Sequence, residues 1–198
     1  MITIALIDDH PLMINGIGAW LCSTGRFEVA GTAGSLEGAR SLFERLDSMP
    51  GIVILDISLG TEDGLSFIPM LKKICAKRKA ALPGILVCSV HGNSYHIKRA
   101  LDLGATAYVE KAAAPSEIIT AIDSILEGKT YVNPKYLQQA QNQNISPLTR
   151  RETEVAALAK LSLSTKQIAQ RLGLSVRTVD NHLARIYAKT GKGSREEL

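Results

Sequence analysis

Short apolar runs alternate with longer amphipathic stretches over the first 128 residues of the chain. The apolar runs have the length of single strands, and nearly continuous apolar character is typical of strands that are buried on both faces of a sheet. These runs are Ile2–Ile7, Phe27–Ala30, Ile52–Leu55, Ile85–Cys88 and Ala107–Glu110. The stretches between them repeat apolar residues every three or four positions, as a helix with one buried face does. The alternation predicts an α/β domain with a parallel, doubly wound sheet and right-handed connections.

Five helices are predicted from this periodicity, at about residues 12–24, 35–47, 65–75, 95–103 and 115–127. Leu12, Ile17 and Leu21 are among the apolar residues of the first helix. Ser35 has the side chain of an N-cap residue, and Pro115 lies in the first turn of the fifth helix, where proline is well tolerated.

Reactive side chains follow four of the five predicted strands. They are Asp8 and Asp9, Asp56, Ser89 and Lys111. The carboxyl ends of parallel strands lie at one edge of a sheet, and ligands bind in the crevice outside that edge. Carboxylates are typical ligands of Mg²⁺, which takes further ligands from phosphate, and a carboxylate can also act as a nucleophile toward phosphorus. The pattern predicts a Mg²⁺-dependent phosphorylation site at which Asp56 carries the phosphoryl group.

The stretch from residue 129 to 146 is polar and includes the glutamine- and asparagine-rich run 138–144, so it is predicted to be a linker. Capping-box sequences then begin three predicted helices, at Thr149, Ser164 and Ser194. The second of these helices ends at Gly173, and another one, which follows Ser175, runs to about Thr190.

Two helices joined by so short a turn predict a helix-turn-helix, in which the second helix enters the major groove of DNA. The buried stripe of this recognition helix is predicted to consist of Val176, Val179, Leu183, Ile186 and Tyr187.

Charge supports this division of the chain. Residues 1–144 carry 13 Lys and Arg against 14 Asp and Glu, whereas residues 145–198 carry 10 against 5. A small basic domain indicates a polyanionic partner, although charge alone leaves open a merely solvated surface.

No apolar run approaches the roughly 20 residues that cross a bilayer, so we expect no membrane insertion and a cytoplasmic location. Cys22, Cys75 and Cys88 lie far apart in the sequence and are expected to be reduced.

The strand-end residues, with Leu55-Asp56-Ile57-Ser58 and Asp63-Gly64-Leu65, resemble the receiver domain of bacterial two-component response regulators. Residues 148–152, 168–172 and 178–182 resemble the LuxR-type DNA-binding domain. The combination resembles the NarL/FixJ subfamily. The resemblance implies a flavodoxin-like, five-stranded receiver sheet of order 2-1-3-4-5 over residues 1–128, a linker over 129–146 and a LuxR-type helix-turn-helix domain over 147–198.

The resemblance also implies roles for single residues. Asp56 is the phosphoacceptor, and Mg²⁺ is held by Asp9, Asp56 and the backbone carbonyl of Ser58, with Asp8 acting through water. Ser89, Tyr108 and Lys111 respond to the phosphoryl group; for Tyr108 the alternative is an ordinary half-buried strand residue. His10 and His91 are expected to be polar loop residues rather than ligands, and His182 to anchor its helix or a phosphate.

DNA contacts are assigned in the same way. Asn181 is a candidate base reader, and the candidate phosphate contacts are Thr165, Lys166, Arg177, Thr178, Arg185 and Lys189. The chain departs from the family pattern at Ser58 and Gly60, where Asn and Pro are frequent, and at Asp180 and Ala184, where a lysine and a basic or polar residue are usual. Asp180 either repels phosphate or accepts a hydrogen bond from cytosine.

These features predict a transcriptional regulator that a sensor histidine kinase phosphorylates on Asp56, that binds DNA, and that forms a phosphorylation-linked homodimer through its receiver. No enzymatic activity beyond self-phosphorylation and self-dephosphorylation is expected. The alternative is a receiver that acts through protein interaction, with DNA binding weakened by Asp180. A Mg²⁺-dependent phosphatase is disfavoured because Ser58, not a carboxylate, stands two residues after Asp56. Only Leu198 follows the capping sequence 194–197, so the fourth helix of the LuxR-type domain is expected to be cut short.

Overall fold

The computed structural model describes residues 1–90, 94–136 and 148–190. His91, the polar run 138–144 and the predicted fourth helix at 194 lie outside the described residues. The chain divides into two compact units, residues 1–92 with 100–133 and residues 93–99 with 134–198. None of the described helices combines the length and the apolar composition that a membrane-spanning helix needs.

The first unit contains a parallel sheet, as the sequence predicts. Its strands are β1 (Ile2–Ile7), β2 (Phe27–Ala33), β3 (Ile52–Leu55), β6 (Gly84–Ser89), β7 (Ala107–Glu110) and β8 (Tyr131–Val132). They are arranged in the order β2-β1-β3-β6-β7-β8, whose first five strands have the predicted order 2-1-3-4-5. The short strands β4 (Ser58–Leu59) and β5 (Glu62–Asp63) form a separate antiparallel pair.

The sixth strand of the sheet, β8, was not predicted. Its two residues lie in the stretch that was predicted to be a linker, and they pair in parallel with Ala107 and Tyr108 of β7. The sequence signal is weak because two residues show no periodicity. The side chain of Asn133, which directly follows β8, also holds this segment in place, because its amide nitrogen donates to Glu117 Oε1 at 2.8 Å.

The helices between residues 1 and 133 lie close to their predicted positions. They are α1 (Pro11–Ser23), α2 (Leu36–Arg45), α3 (Phe67–Arg78), α4 (Ser94–Leu103) and α5 (Pro115–Leu126), with one turn of 3₁₀ helix at Gly64–Ser66 before α3. Ser35 caps α2 by accepting from the backbone N–H of Gly38. Of the apolar residues of α1, Leu12 is 88% exposed and does not join the core. It lies in the first turn of the helix, at the end next to the carboxyl edge of the sheet rather than over the sheet's face.

The core of the first unit surrounds β1, β3 and β6, and all four residues of β3 are buried. Apolar side chains from α1 and α5, such as Leu21, Ile118 and Ile122, pack against the strands. Because the middle of the sheet is filled with aliphatic side chains, its charged groups are confined to the strand ends, which positions the site described below.

The second unit contains α6 (Arg150–Lys160), α7 (Thr165–Leu172) and α8 (Val176–Thr190). Two of the predicted capping boxes are present in full, Thr149 with Glu152 and Ser164 with Gln167. Gly173 ends α7 in the left-handed conformation, with a φ of +64°. The predicted stripe of α8 is buried except for Val176, which is 45% exposed because it is the first residue of the helix and precedes the packed turns.

Candidate functional site

The predicted carboxylates come together at the carboxyl edge of the sheet. Asp8 follows β1 and Asp56 follows β3, and single ligand atoms of Asp8, Asp9, His10 and Asp56 all lie within 4.8 Å of one another. The parallel register places these positions side by side, since Ile7 of β1 is opposite Leu55 of β3. The sequence predicted the three carboxylates, but it did not predict that His10 joins them.

Lys111, which follows β7, bridges two of the carboxylates. Its Nζ lies 2.6 Å from Asp8 Oδ2 and 2.7 Å from Asp56 Oδ2, and its side chain is 8% exposed. Burial on its own would lower the pKa of Lys111, but the hydrogen bonds and charges of Asp56 and Asp8 outweigh burial and raise it. Lys111 is therefore held as a cation against the two carboxylates.

Asp56 is the most buried carboxylate of the site, with a side chain that is 3% exposed. Burial raises its pKa, and the bond from Lys111 only partly offsets that effect. Lys111 occupies Oδ2, whereas Oδ1 is buried and has no hydrogen-bond partner among the described residues. A buried acceptor without a partner is costly, so this oxygen is suited to a ligand that would complete its bonding.

Asp9 is held by its neighbours in a different way. The backbone N–H of Gly60 donates to Asp9 Oδ2 at 2.9 Å, and His10 Nδ1 lies 2.7 Å from Asp9 Oδ1. The same imidazole nitrogen lies 3.2 Å from Asp8 Oδ1. His10 was predicted to be a polar loop residue; the structure places it on the rim of the acidic site, with a side chain that is 64% exposed.

The loop after Asp56 passes so close to it that Gly64 leaves no space for a side chain. A Cβ atom on Gly64 would lie 2.0 Å from the carbonyl oxygen of Asp56. The Gly64 N–H donates to the carbonyl of Ile57 at 2.6 Å, and the Asp63 carboxylate accepts from the N–H of Leu65. The Asp63-Gly64-Leu65 sequence thus keeps the loop folded over the backbone of the predicted phosphoacceptor.

The remaining predicted receiver residues lie next to these groups in the fold. Ser89 is buried at the end of β6, and its carbonyl accepts from the backbone N–H of Lys111 at 2.7 Å. Tyr108 of β7 is fully buried, so its ring already occupies a buried position. Ser58 is half-buried in β4, two residues after Asp56.

The described donors fit the divalent ion that the resemblance implies. The carboxylate oxygens of Asp8, Asp9 and Asp56 are hard ligands, and the unpartnered Oδ1 of Asp56 is among them. Mg²⁺ favours such oxygen donors and usually keeps several waters, for which the partly exposed Asp9 and His10 leave room.

The second unit has helix-turn-helix geometry, with the two helices α7 and α8 separated by residues 173–175. Ser175 Oγ accepts from the N–H of Thr178 at 3.0 Å and so caps the recognition helix α8. Of the candidate DNA contacts, Lys166, Arg177, Asp180 and Arg185 are exposed. Thr165, Thr178 and Asn181 are half-buried, and Ala184 is buried.

Lys189 has a role that the sequence did not reveal. Its Nζ donates to Glu152 Oε2 at 2.7 Å, and the Glu152 side chain is only 3% exposed. The same carboxylate accepts from the N–H of Thr149 in the capping box of α6. Lys189 therefore joins the end of α8 to the start of α6, so its candidate phosphate contact would compete with this internal ion pair. No local sequence pattern reveals the pair, because its two residues are 37 positions apart.

Comparisons with known proteins agree with both units. Residues 4–123 match the response regulator receiver domain, and residues 146–198 match the luxR family of bacterial regulatory proteins. The transcriptional regulatory protein UhpA of Salmonella typhimurium is 32% identical over 202 residues, which cover 100% of this chain and 96% of UhpA.

Solved structures with the same fold include a LuxR-family two-component response regulator from Aurantimonas sp., with 26% identity, a TM-score of 0.60, and coverage of 69% of this chain and 92% of that one. RcsB from Salmonella enterica serovar Typhimurium, bound to promoter rprA in the presence of the phosphomimetic BeF3⁻, is similar in fold, with 24% identity and a TM-score of 0.62 over 98% of this chain and 94% of that chain. The chain thus belongs to the response regulators that combine a receiver domain with a luxR-family regulatory domain.

Proposed function

We propose that this chain is a transcriptional regulator that binds DNA through its second unit and is controlled by phosphorylation of Asp56. The observation that carries the proposal is the arrangement at Asp56, where one buried oxygen is paired with Lys111 and the other has no partner among the described residues. A sensor histidine kinase would supply the phosphoryl group, and the DNA partner implies a cytoplasmic location.

The residues of the site would promote phosphoryl transfer in two ways, by positioning the reacting groups and by neutralising charge. Asp56 would attack phosphorus through a carboxylate oxygen, forming a new O–P bond as the donor's bond to phosphorus breaks. Lys111, kept cationic by Asp8 and Asp56, would neutralise the phosphoryl oxygens. Asp9, Asp56 and the Ser58 carbonyl would hold Mg²⁺, with Asp8 behind a water. When bound, the ion supplies charge neutralisation at the phosphoryl oxygens.

Ser89 and Tyr108 would convert phosphorylation into a change of shape. Ser89 is joined to Lys111 through a backbone hydrogen bond, which would couple a movement of one residue to the other. Tyr108 lies on the neighbouring strand, where Cys88 and Val87 of β6 are paired with Val109 and Tyr108 of β7. The predicted coupling between the Ser89 hydroxyl and the Tyr108 ring remains a proposal.

The test of the receiver chemistry is the Asp56→Asn variant. Incubation with a small acyl phosphate and Mg²⁺ is expected to add one acid-labile phosphoryl group to the wild type and none to this variant, measured by intact mass. Asp102→Asn is the matched control, because it makes the same isosteric change at an exposed carboxylate. Full labelling of Asp56→Asn would place the nucleophile elsewhere.

The Asp180→Lys variant tests whether Asp180 weakens DNA binding or reads a base. Asp180 is exposed on α8, where a carboxylate repels phosphate. The variant is expected to bind random-sequence duplex DNA more tightly, with a salt dependence that is steeper by about one to two units, measured by fluorescence anisotropy. If Asp180→Lys instead loses binding to the chain's own genomic targets, Asp180 reads a base and the DNA-binding unit is functional as it stands.

A further inference from the structure

An uninterrupted basic segment lies in the receiver, far from the carboxylates of the site. Between Asp63 and Asp102 the chain has no Asp or Glu, and it has seven Lys and Arg residues in this interval. The first 144 residues as a whole are slightly acidic, with 13 Lys and Arg against 14 Asp and Glu, so the positive charge is concentrated in one place. Four of these cations, Lys72, Lys73, Lys77 and Lys79, lie on or directly after α3 and are exposed. We call these four residues the α3 basic face.

The α3 basic face has no internal partner that would explain it. Within residues 1–90, 94–136 and 148–190, none of the four lysines forms an ion pair or a side-chain hydrogen bond. Arg78, in the same segment, has a structural role instead, because its guanidinium donates to the carbonyls of Phe43 and Asp47 at 2.8 and 2.9 Å. Arg78 thus closes the end of α2. The neighbouring lysines are exposed, and the Lys72 ammonium lies close to Gly104, directly after α4.

The stability of α3 does not account for these lysines. Cations in the last turn of a helix interact favourably with its dipole, but this effect falls off within that turn. Lys72 and Lys73 lie in the middle of α3, and Lys73 is four residues from Lys77, a spacing at which like charges repel. Lys79 has a φ of +53°, a left-handed conformation in which glycine or asparagine would be less strained than lysine. The segment therefore keeps its lysines against local preference.

We infer that the α3 basic face is a second, sequence-independent contact surface for the phosphate backbone of duplex DNA. This inference rests on the proposed DNA binding of the second unit. Phosphate is favoured over a protein partner because protein interfaces are depleted in lysine and anchored by aromatic side chains and arginine, whereas the exposed residues here are lysines and Ala76. The eight residues from Lys72 to Lys79 span about 10 Å along α3 and its C-cap, which is close to three base-pair steps of about 3.4 Å along the DNA axis.

The contact would add affinity without adding base preference. Lysine side chains are flexible point charges, so they suit phosphates at many registers and do not require bidentate geometry. DNA longer than the operator would then bind more tightly than the operator alone, because flanking phosphates become available to the receiver. An acidic protein surface is the competing partner, and it predicts no change in DNA binding when the lysines are removed.

The experiment compares two doubly substituted full-length chains. Lys73→Gln/Lys77→Gln removes two cations from the α3 basic face. Arg40→Gln/Lys129→Gln removes two cations that already pair with carboxylates elsewhere on the receiver, so both variants have the same net charge. Binding to random-sequence duplexes of about 20 and 60 base pairs is measured over a series of salt concentrations.

On the longer duplex, we expect Lys73→Gln/Lys77→Gln to bind about tenfold more weakly, with a slope of log K against log salt that is flatter by about one to two units. The Arg40→Gln/Lys129→Gln control should match the wild type. Equal binding by both variants would overturn the inference. The Lys166→Gln variant distinguishes DNA binding by the second unit from DNA contact by the receiver. If Lys166→Gln weakens binding while Lys73→Gln/Lys77→Gln does not, the second unit binds DNA and the proposed receiver contact is wrong. If the wild type binds neither duplex even when beryllofluoride and Mg²⁺ are present, both fall.

A direct measurement supports the comparison and does not depend on variants. The amines of Lys73 and Lys77 are labelled with an amine-reactive reagent in the presence and absence of the longer duplex, and the products are analysed by mass spectrometry. We expect DNA to reduce the labelling of both amines at least threefold, while the Lys129 amine keeps its reactivity. Unchanged reactivity of Lys73 and Lys77 in the DNA complex would contradict the contact.

Discussion

At the scale of single residues, the site depends on how closely backbone and side chains approach Asp56. Gly64 is required for a steric reason, since any side chain there would meet the carbonyl oxygen of the residue that we propose to be phosphorylated. Lys111 is required for an electrostatic reason, since it pairs with one oxygen of Asp56 and one of Asp8. A substitution of Gly64 or Lys111 therefore alters the surroundings of Asp56 and leaves the aspartate itself in place.

The Gly64→Ala substitution tests the steric requirement. Its Cβ would lie 2.0 Å from the Asp56 carbonyl oxygen, so the loop must shift. We expect the free energy of unfolding of the receiver to fall by about 1–3 kcal/mol, as for other overpacking substitutions. Urea unfolding followed through Trp20 measures the effect, because this single tryptophan packs against the receiver core.

Gly16→Ala is the matched control for this prediction. Gly16 lies in the middle of α1, and nothing stands within 4 Å of the position of its Cβ. Alanine there should raise the free energy of unfolding by about 0.5–1 kcal/mol because glycine is a poor helix former. A Gly64→Ala variant that is as stable as the wild type would show that the loop over Asp56 moves at no cost.

At the scale of elements, local signals predicted most of the fold. Capping residues such as Thr149 and Ser164 determine helix starts through contacts three residues away, so the sequence alone is enough to find them. Asp8, Asp9, Asp56 and Lys111 were also found from a local signal, because they lie at the ends of predicted strands. The structure adds what depends on distant pairing, namely the edge strand β8, the role of His10 beside Asp9, and the ion pair between Glu152 and Lys189, which are 37 residues apart.

The Glu152–Lys189 pair gives the helical unit a dependence on pH. Burial alone would raise the pKa of Glu152, but the bonds from Lys189 and Thr149 lower it below its ordinary value of 4.5. A carboxyl whose pKa is lower in the folded state stabilises that state at a pH above its unfolded pKa, and the stabilisation is lost as the pH falls through its folded pKa. The ion pair should therefore stabilise α6 and α8 at neutral pH and cease to do so in acid.

We expect Glu152→Gln to destabilise the helical unit by about 1–2 kcal/mol at pH 7, because glutamine can keep the capping box, as Gln167 does in α7, but cannot pair with Lys189 as an anion. Hydrogen exchange of the α6 and α8 amides, measured by mass spectrometry, should show faster exchange in the variant at pH 7, and the difference should narrow only as the pH falls below about 4.5. Glu154→Gln, at a more exposed carboxylate that pairs with Arg150 and Arg151, is the control and should retain wild-type protection. A pH-independent difference would exclude the ionised Glu152 as its source.

At the scale of the whole molecule, the net charge of the receiver differs from that of residues 145–198. Residues 145–198 carry 10 Lys and Arg against 5 Asp and Glu, so two copies of this part repel each other in the absence of DNA. The receiver is nearly neutral overall, and it contains the proposed phosphorylation site. Association of two chains in solution should therefore take place through the receiver and depend on the state of Asp56.

We expect the full chain to change from monomer to dimer when beryllofluoride and Mg²⁺ occupy the site, with at least a tenfold decrease in the dimer dissociation constant, or about 1.4 kcal/mol. Sedimentation velocity over a range of protein concentrations measures the change. The Asp56→Asn variant, given the same additions, should sediment as the untreated wild type does. A dimer of equal stability with and without beryllofluoride would separate association from phosphorylation.

The backbone at Gly60 does not suit proline. Proline is frequent at this position in the family, but Gly60 has a φ of +63° and its N–H donates to Asp9. Proline has a φ fixed near −65° and no N–H, so it would have to reverse the loop and release a carboxylate of the site at once. A Gly60→Pro substitution is therefore expected to be deleterious here, although proline is the residue that the family tolerates at this position.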